Sequence, residues 1–269
     1  MEEALAALPF AEELGRLEEA LRYSLLGGGK RLRPVLCLAV GESLGRDPDE
    51  LMAAACSLEL VHTFSLVHDD LPALDDDELR RGQPSAHVRY GEGVAILAGD
   101  ALLTEAFRLA LTYPTPDPAR ELAQATVGMI GGQYVDVTTD GGLDSDGLAR
   151  LHDLKTGRLL CACITCATAV AGLREEERRP WAAFGRELGL LFQIVDDILD
   201  ATGTAAELGK TPGKDEAAGK VTYVSLHGLE RARELADEAR GRVKARLDEL
   251  PADTSVLTTL VEAIRERRA

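Results

Sequence analysis

The chain has 269 residues, enough for one large domain with a real core. Apolar residues make up 45% and charged residues 28%, which excludes a disordered or fibrous chain. The formal charge of −16 excludes a basic nucleic-acid surface, so any anion must be held by locally placed cations or bound metal.

Met1-Glu2-Glu3 opens without the basic and apolar regions of a secretory leader, and the longest uncharged run, Leu159 to Leu173, is too short to cross a bilayer. Gly27, Gly28 and Gly29 break the first helical stretch. They precede Lys30, Arg31 and Arg33 at the next helix start, where exposed backbone amides favour an anion. The spacing is not that of a P-loop. Asp47-Pro48-Asp49-Glu50 supplies an N-cap, a first-turn proline and an acid at N3, which predicts a helix running to about the first aspartate cluster. That cluster comprises Asp69, Asp70, Asp75, Asp76 and Asp77. On the helix before it, His62, Ser65 and Asp69 fall at i, i+3 and i+7 and share one face. Pro72 predicts a break directly afterwards, so helical geometry does not choose between Asp75 and Asp76. Arg80 and Arg81 follow, able to grip phosphate oxygens bidentately.

Asp117-Pro118 starts another helix after the loop from Tyr113 to Pro116. The five cysteines are an odd number in apolar settings, which suits a reducing cytoplasm, and Cys161, Cys163 and Cys166 read as the small face of a buried helix. A second aspartate cluster, Asp196, Asp197 and Asp200, closes a later apolar run, with Gln193, Asp196 and Asp200 again at i, i+3 and i+7. The stretch from Thr202 to Gly219, rich in glycine and lysine, reads as a loop, and Asp253 as the cap of the last helix. Alternating β-branched runs are almost absent. These signals predict an all-α fold in a single domain, residues 1–269.

Carboxylates on an apolar helix are costly unless cations meet them, and clustering them raises one another's pKa. A helix that is apolar except for one polar stripe turns that stripe to an internal cavity. A divalent metal relieves both costs, and Mg²⁺ prefers carboxylate oxygens together with substrate phosphates. The two clusters therefore read as jaws around Mg²⁺ and a diphosphate. Lysine usage points the same way: of six lysines against 24 arginines, Lys30, Lys155, Lys210, Lys214 and Lys220 all lie in the glycine turn, in Lys155-Thr156-Gly157 or in the late loop.

Four segments in order, Gly28 to Pro34, Asp69 to Gly82, Lys155 to Gly157 and Phe192 to Asp200, make the chain resemble the trans-isoprenyl diphosphate synthases, most closely the bacterial farnesyl diphosphate synthases. The resemblance implies an all-α bundle around a deep cavity, a homodimer, and a cytoplasmic prenyltransferase using three Mg²⁺ ions, or Mn²⁺. It implies that Asp69, Asp75 and Asp196 bind the metal, with Asp200 acting through water. By the same likeness Arg80, Lys155, Lys210 and Lys220 contact the allylic diphosphate. Lys30, Arg33, His62 and Arg81 hold isopentenyl diphosphate, and Gln193 and Thr156 sit beside the developing allylic cation. Arg265, Arg267 and Arg268 are candidates to cover the site, or a favourable charge at a helix C-terminus.

Family members that stop at fifteen carbons commonly carry an aromatic five residues before the first aspartate. Here that residue is Phe64, beside the small Ser65, so farnesyl diphosphate is the expected product. The alternatives are a geranylgeranyl diphosphate synthase and, from another class, a class I terpene cyclase. The cyclase needs no second cationic pocket and relies on aromatic faces, against which stand Lys30 and Arg33 and an aromatic content of 4%. A silent modulating subunit would typically lack one aspartate cluster, and this chain has both.

Overall fold

The computed structural model describes residues 1–139, 142–203 and 221–265; Lys210, Lys214, Lys220, Arg267 and Arg268 lie outside them. The described residues are helical almost throughout: α1 (Glu2–Ala6), a 3₁₀ turn at Glu12–Leu17, α2 (Glu18–Leu26), α3 (Leu32–Ser43), α4 (Pro48–Asp69), α5 (Ala86–Tyr90), α6 (Glu92–Ala110) and α7 (Asp117–Thr138). There follow α8 (Ser145–His152), a π-helical segment Asp153–Gly157, α9 (Arg158–Val170), α10 (Glu175–Thr202), α11 (Tyr223–His227), α12 (Leu229–Asp248) and α13 (Ser255–Arg265).

Local chemistry sets the boundaries. The Asp47 carboxylate accepts from the Asp49 amide, and Glu50 reaches back to the Asp47 amide, a capping box with Pro48 in the first turn. Asp253 accepts from the Ser255 amide at 3.0 Å at the start of α13. The sequence signals held no strand, yet Leu79–Arg80 (β1) and Gln83–Pro84 (β2) pair as a minimal hairpin. Its two turn residues, Arg81 (φ 54°) and Gly82 (φ 76°), are both left-handed, as a type I′ turn requires.

Helix α4 is central, packing on α3, α6 and α9, while α10 runs against α9 and α12. Their shared core holds Leu58, Val61, Leu102, Leu160, Ile164, Trp181, Phe184 and Leu188. The 18-residue apolar window of α4 has a mean hydropathy of 1.3, long and apolar enough to cross a membrane, but 67% of it is buried inside the fold. The longest uncharged run in the sequence therefore understated the most membrane-like helix, because that test stops at every charge.

Candidate active site

The first aspartate cluster is shaped by the break after α4. The Asp69 carbonyl accepts from the Asp75 amide at 2.9 Å, and the Asp70 carbonyl from the Asp77 amide at 3.2 Å, so the chain folds back on the helix end. Burial pushes the Asp69 carboxyl up to about 6; Asp75 and Asp70 add to this, and Lys155 and Arg80 oppose it. Asp75 is among the charges acting on Asp69; Asp75 and Asp76 are both exposed, and Asp76 is left-handed (φ 48°). Asp70 is buried and turned the other way, gripped by Arg80, whose Nε donates to both carboxylate oxygens at 3.0 and 3.2 Å.

The glycine turn brings cations to the same end. Gly28 and Gly29 adopt φ of 93° and 125°, and a Cβ on Gly29 would lie 2.7 Å from the Arg81 guanidinium, which itself donates to the Gly28 carbonyl. Three cations follow the turn, and the structure separates them. Lys30 is exposed. Arg31 is buried and structural, donating to Glu59 and Glu2 at 2.6 Å each and to the Leu25 carbonyl at 2.8 Å. Arg33 lines the cavity described below.

His62 stands among these charges. Burial, together with Arg33, Arg81, Arg80 and Arg31, holds its imidazole well below the ordinary range, so it is neutral. Below about pH 6.5 the unfolded chain takes up a proton that the folded imidazole refuses, so stability present above that pH is lost as pH falls. His62→Asn should therefore show a smaller drop in melting temperature between about pH 7 and pH 5 than the parent protein. Equal drops in thermal melts would remove His62 from the balance.

Lys155 and Thr156 sit in the π-helical segment, the kind of interruption that recurs at functional sites. Two glycines let neighbouring helices press against it. A Cβ on Gly132 of α7 would lie 2.4 Å from the Lys155 amide nitrogen, and one on Gly189 of α10 would lie 2.9 Å from the Gly157 Cα. The Lys155 ammonium donates to Asp136 at 2.6 Å.

On α10, Gln193 and Asp200 are buried and Asp196 is half-buried. Asp197 is buried too and accepts from the Gln193 side-chain amide at 2.8 Å and from the Tyr223 backbone amide at 2.8 Å.

A cavity of about 480 Å³ opens between α4, α7 and the π segment, its walls including Arg33, His62, Phe64, Ser65, Asp69, Lys155 and Thr156. Arg80 and Arg81 line a smaller cleft with Asp70 that shares Leu66 with it. Gln193, Asp196 and Asp200 are not in the walls of either. Phe64 is buried, with its ring edge-on to His68 at 5.3 Å between centroids. Sequence reasoning missed Asp136, Asp197, His152 and Gln133, whose amide nitrogen and oxygen are buried in the wall without a protein hydrogen bond. Asp197 stands in the second aspartate cluster but was given no role of its own, and the other three stand in no acidic or basic cluster, the signal used to find the rest.

Among the described residues no three carboxylate, imidazole or thiolate groups converge as a ready metal cage. Asp69 and its neighbour Asp75 offer the one or two carboxylates that Mg²⁺ takes, water and substrate phosphates completing its shell. A buried carboxyl raised to about 6 beside Asp75 is the kind of site such an ion would relieve.

Residues 15–264 match the family described as polyprenyl synthetase. Geranylgeranyl pyrophosphate synthase 11 of Arabidopsis thaliana, a chloroplastic protein, is 48% identical over 249 residues, 87% of this chain and 69% of its own. The geranyltransferase of Helicobacter pylori, solved with magnesium and isoprenyl diphosphate, superposes with a TM-score of 0.82 at 34% identity, covering 98% of this chain and 92% of that one. An FPP/GFPP synthase from Zymomonas mobilis gives 0.81 at 34%, covering 99% and 94%. The expected nearness to bacterial farnesyl synthases is thus not singled out, since the relatives of 44–48% identity are named for a longer product.

Proposed function

Because the chain belongs to the polyprenyl synthetase family, we propose that it condenses isopentenyl diphosphate head to tail with dimethylallyl and then geranyl diphosphate, stopping at (E,E)-farnesyl diphosphate. The observation that carries the chain length is Phe64. It lies in the cavity wall five residues before Asp69, about 7.5 Å back along the helix axis, where a growing tail anchored at Asp69 would meet it.

In this reading Asp69, Asp75 and Asp196 would hold Mg²⁺, three ions to a site, and Asp200 would act through water. When bound, the metal neutralises the diphosphate and makes it a better leaving group. Lys155 and Arg80 grip the allylic diphosphate, joined by Lys210 and Lys220. Lys30, Arg33, His62 and Arg81 seat isopentenyl diphosphate, with His62 as a neutral partner among the arginines. The allylic carbon–oxygen bond breaks with its electron pair leaving on the diphosphate. The isopentenyl double bond attacks that carbon, and the proton then lost passes to a diphosphate oxygen. In this reading Thr156, in the cavity wall, and Gln193 sit beside the transient cation, and the apolar wall of Phe64, Met129 and Ile130 keeps water from it.

A homodimer is supported by α6, whose first turns expose Val94, Ile96 and Leu97. Five free cysteines suit a reducing compartment such as the cytoplasm. The second reading, a C20 product, is favoured by the names of the 44–48% identical relatives. The test is product analysis by mass spectrometry with isopentenyl and geranyl diphosphates and Mg²⁺, for the parent and Phe64→Ala. The expected result is C15 from the parent and longer chains from the variant. C20 from the parent supports the second reading, and C15 from both puts the floor elsewhere.

A further inference from the structure

The second cluster contains three aspartates, and the structure sets Asp197 apart from the other two. Its carboxylate is 4% exposed and engaged on both oxygens. Oδ1 accepts from Gln193 Nε2 at 2.8 Å, Oδ2 accepts from the Tyr223 backbone amide at 2.8 Å, and the His152 Nε2 stands 3.4 Å from Oδ2. The His152 ring stacks on Tyr223 with centroids 5.6 Å apart. Three elements, α8, α10 and α11, thus meet at one carboxylate.

A carboxylate only accepts hydrogen bonds, whereas a primary amide has a donor end and an acceptor end. Asp197 therefore fixes which end of Gln193 faces it: the amide nitrogen is held, and the carbonyl oxygen is turned away. A carbonyl oxygen is the negative end of the amide dipole, the end that stabilises a cation. We propose that Asp197 is a positioning residue for Gln193 rather than a metal ligand, locking the amide so that its oxygen, not its nitrogen, is the end left to the reaction, and that His152 and Tyr223 hold that carboxylate in place. This rests on the prenyltransferase reading above. The device supplies a preorganised dipole without placing a second charge beside the cation.

The test is a double-mutant cycle on the full-length protein with isopentenyl diphosphate, geranyl diphosphate and Mg²⁺. Asp197→Asn keeps the shape but cannot accept from both donors, since one of its ends is itself a donor. Its kcat should fall about 10- to 100-fold, while KM for isopentenyl diphosphate and the Mg²⁺ half-saturation stay within about twofold. In a Gln193→Met background the same change should cost nothing further, because the group it positions is gone. Losses that add, or a raised Mg²⁺ requirement, would overturn the assignment and make Asp197 a direct participant. Should Asp197→Asn melt below the assay temperature, His152→Gln loosens the same carboxylate. Its kcat loss should also vanish in the Gln193→Met background, and persistence there overturns the proposal. A parent protein that condenses nothing overturns the function first, and this inference with it; turnover by the parent with additive losses overturns this inference alone.

Discussion

Asp69→Asn should lower kcat roughly a thousandfold, a loss of about 4 kcal/mol of transition-state stabilisation, while raising the melting temperature of the metal-free protein. The two effects share one cause. Burial and the neighbouring Asp75 push the Asp69 carboxyl up to about 6, so near neutral pH its charge opposes folding. A carboxyl whose folded pKa lies above its unfolded value loses stability as pH rises through the folded value. The neutral amide removes that opposition, and with it the ligand. Asp76→Asn, at an exposed and left-handed position, is the control and should change kcat within about threefold. Steady-state rates with Mg²⁺ titration, and melts in chelator, measure both effects. Equal losses from the two substitutions would point to net charge instead of ligation.

Gly132→Ala should cost about a hundredfold in kcat with a smaller loss of stability. The added carbon would stand 2.4 Å from the Lys155 nitrogen and 2.7 Å from its Cα, and both are backbone atoms that no rotamer change can move aside. The π segment must shift, taking Lys155 and Thr156 with it. Overpacking of this kind typically costs about 1–3 kcal/mol of stability. A displacement of about 1 Å in a positioning group is enough for the rate effect. The kcat of the purified variant, with a melting curve, checks this; unchanged turnover would show that the segment can retreat without harm.

Much of the architecture is legible because the chain marks its own boundaries. Asp47, Pro48 and Glu50 fix the start of α4, and Asp253 caps α13. His62, Ser65 and Asp69, which helical spacing put on one face, all line the cavity. What spacing could not supply was partnership across the fold. Arg31 and Arg33 are two residues apart in one basic motif, yet one is buried between Glu2 and Glu59 while the other lines the cavity. Asp196 and Asp197 are adjacent, yet Asp197 is spent on Gln193 and Tyr223. The partner of Lys155, Asp136, lies a helix away with no acidic neighbours to draw attention to it. The hairpin escaped because two residues a side is too short for any period, and its turn places an arginine where glycine or asparagine is usual.

The π segment carries a constraint on how such a sequence can change over time. It behaves as a helix running from Ser145 to Val170 into which one residue too many has been inserted. Deleting one residue of Asp153–Gly157 would let the backbone relax into an ordinary α-helix with the segments before and after it still in register, because the wide turn is what absorbs the extra residue. Buried Leu148 and Leu151 on one side would go on facing the core together with Leu159 and Leu160 on the other, and only the bulge that carries Lys155 and Thr156 would be gone. Descendants could therefore lose the site in one step and keep the fold, so a one-residue gap there in a set of aligned sequences would mark a chain that has abandoned the site.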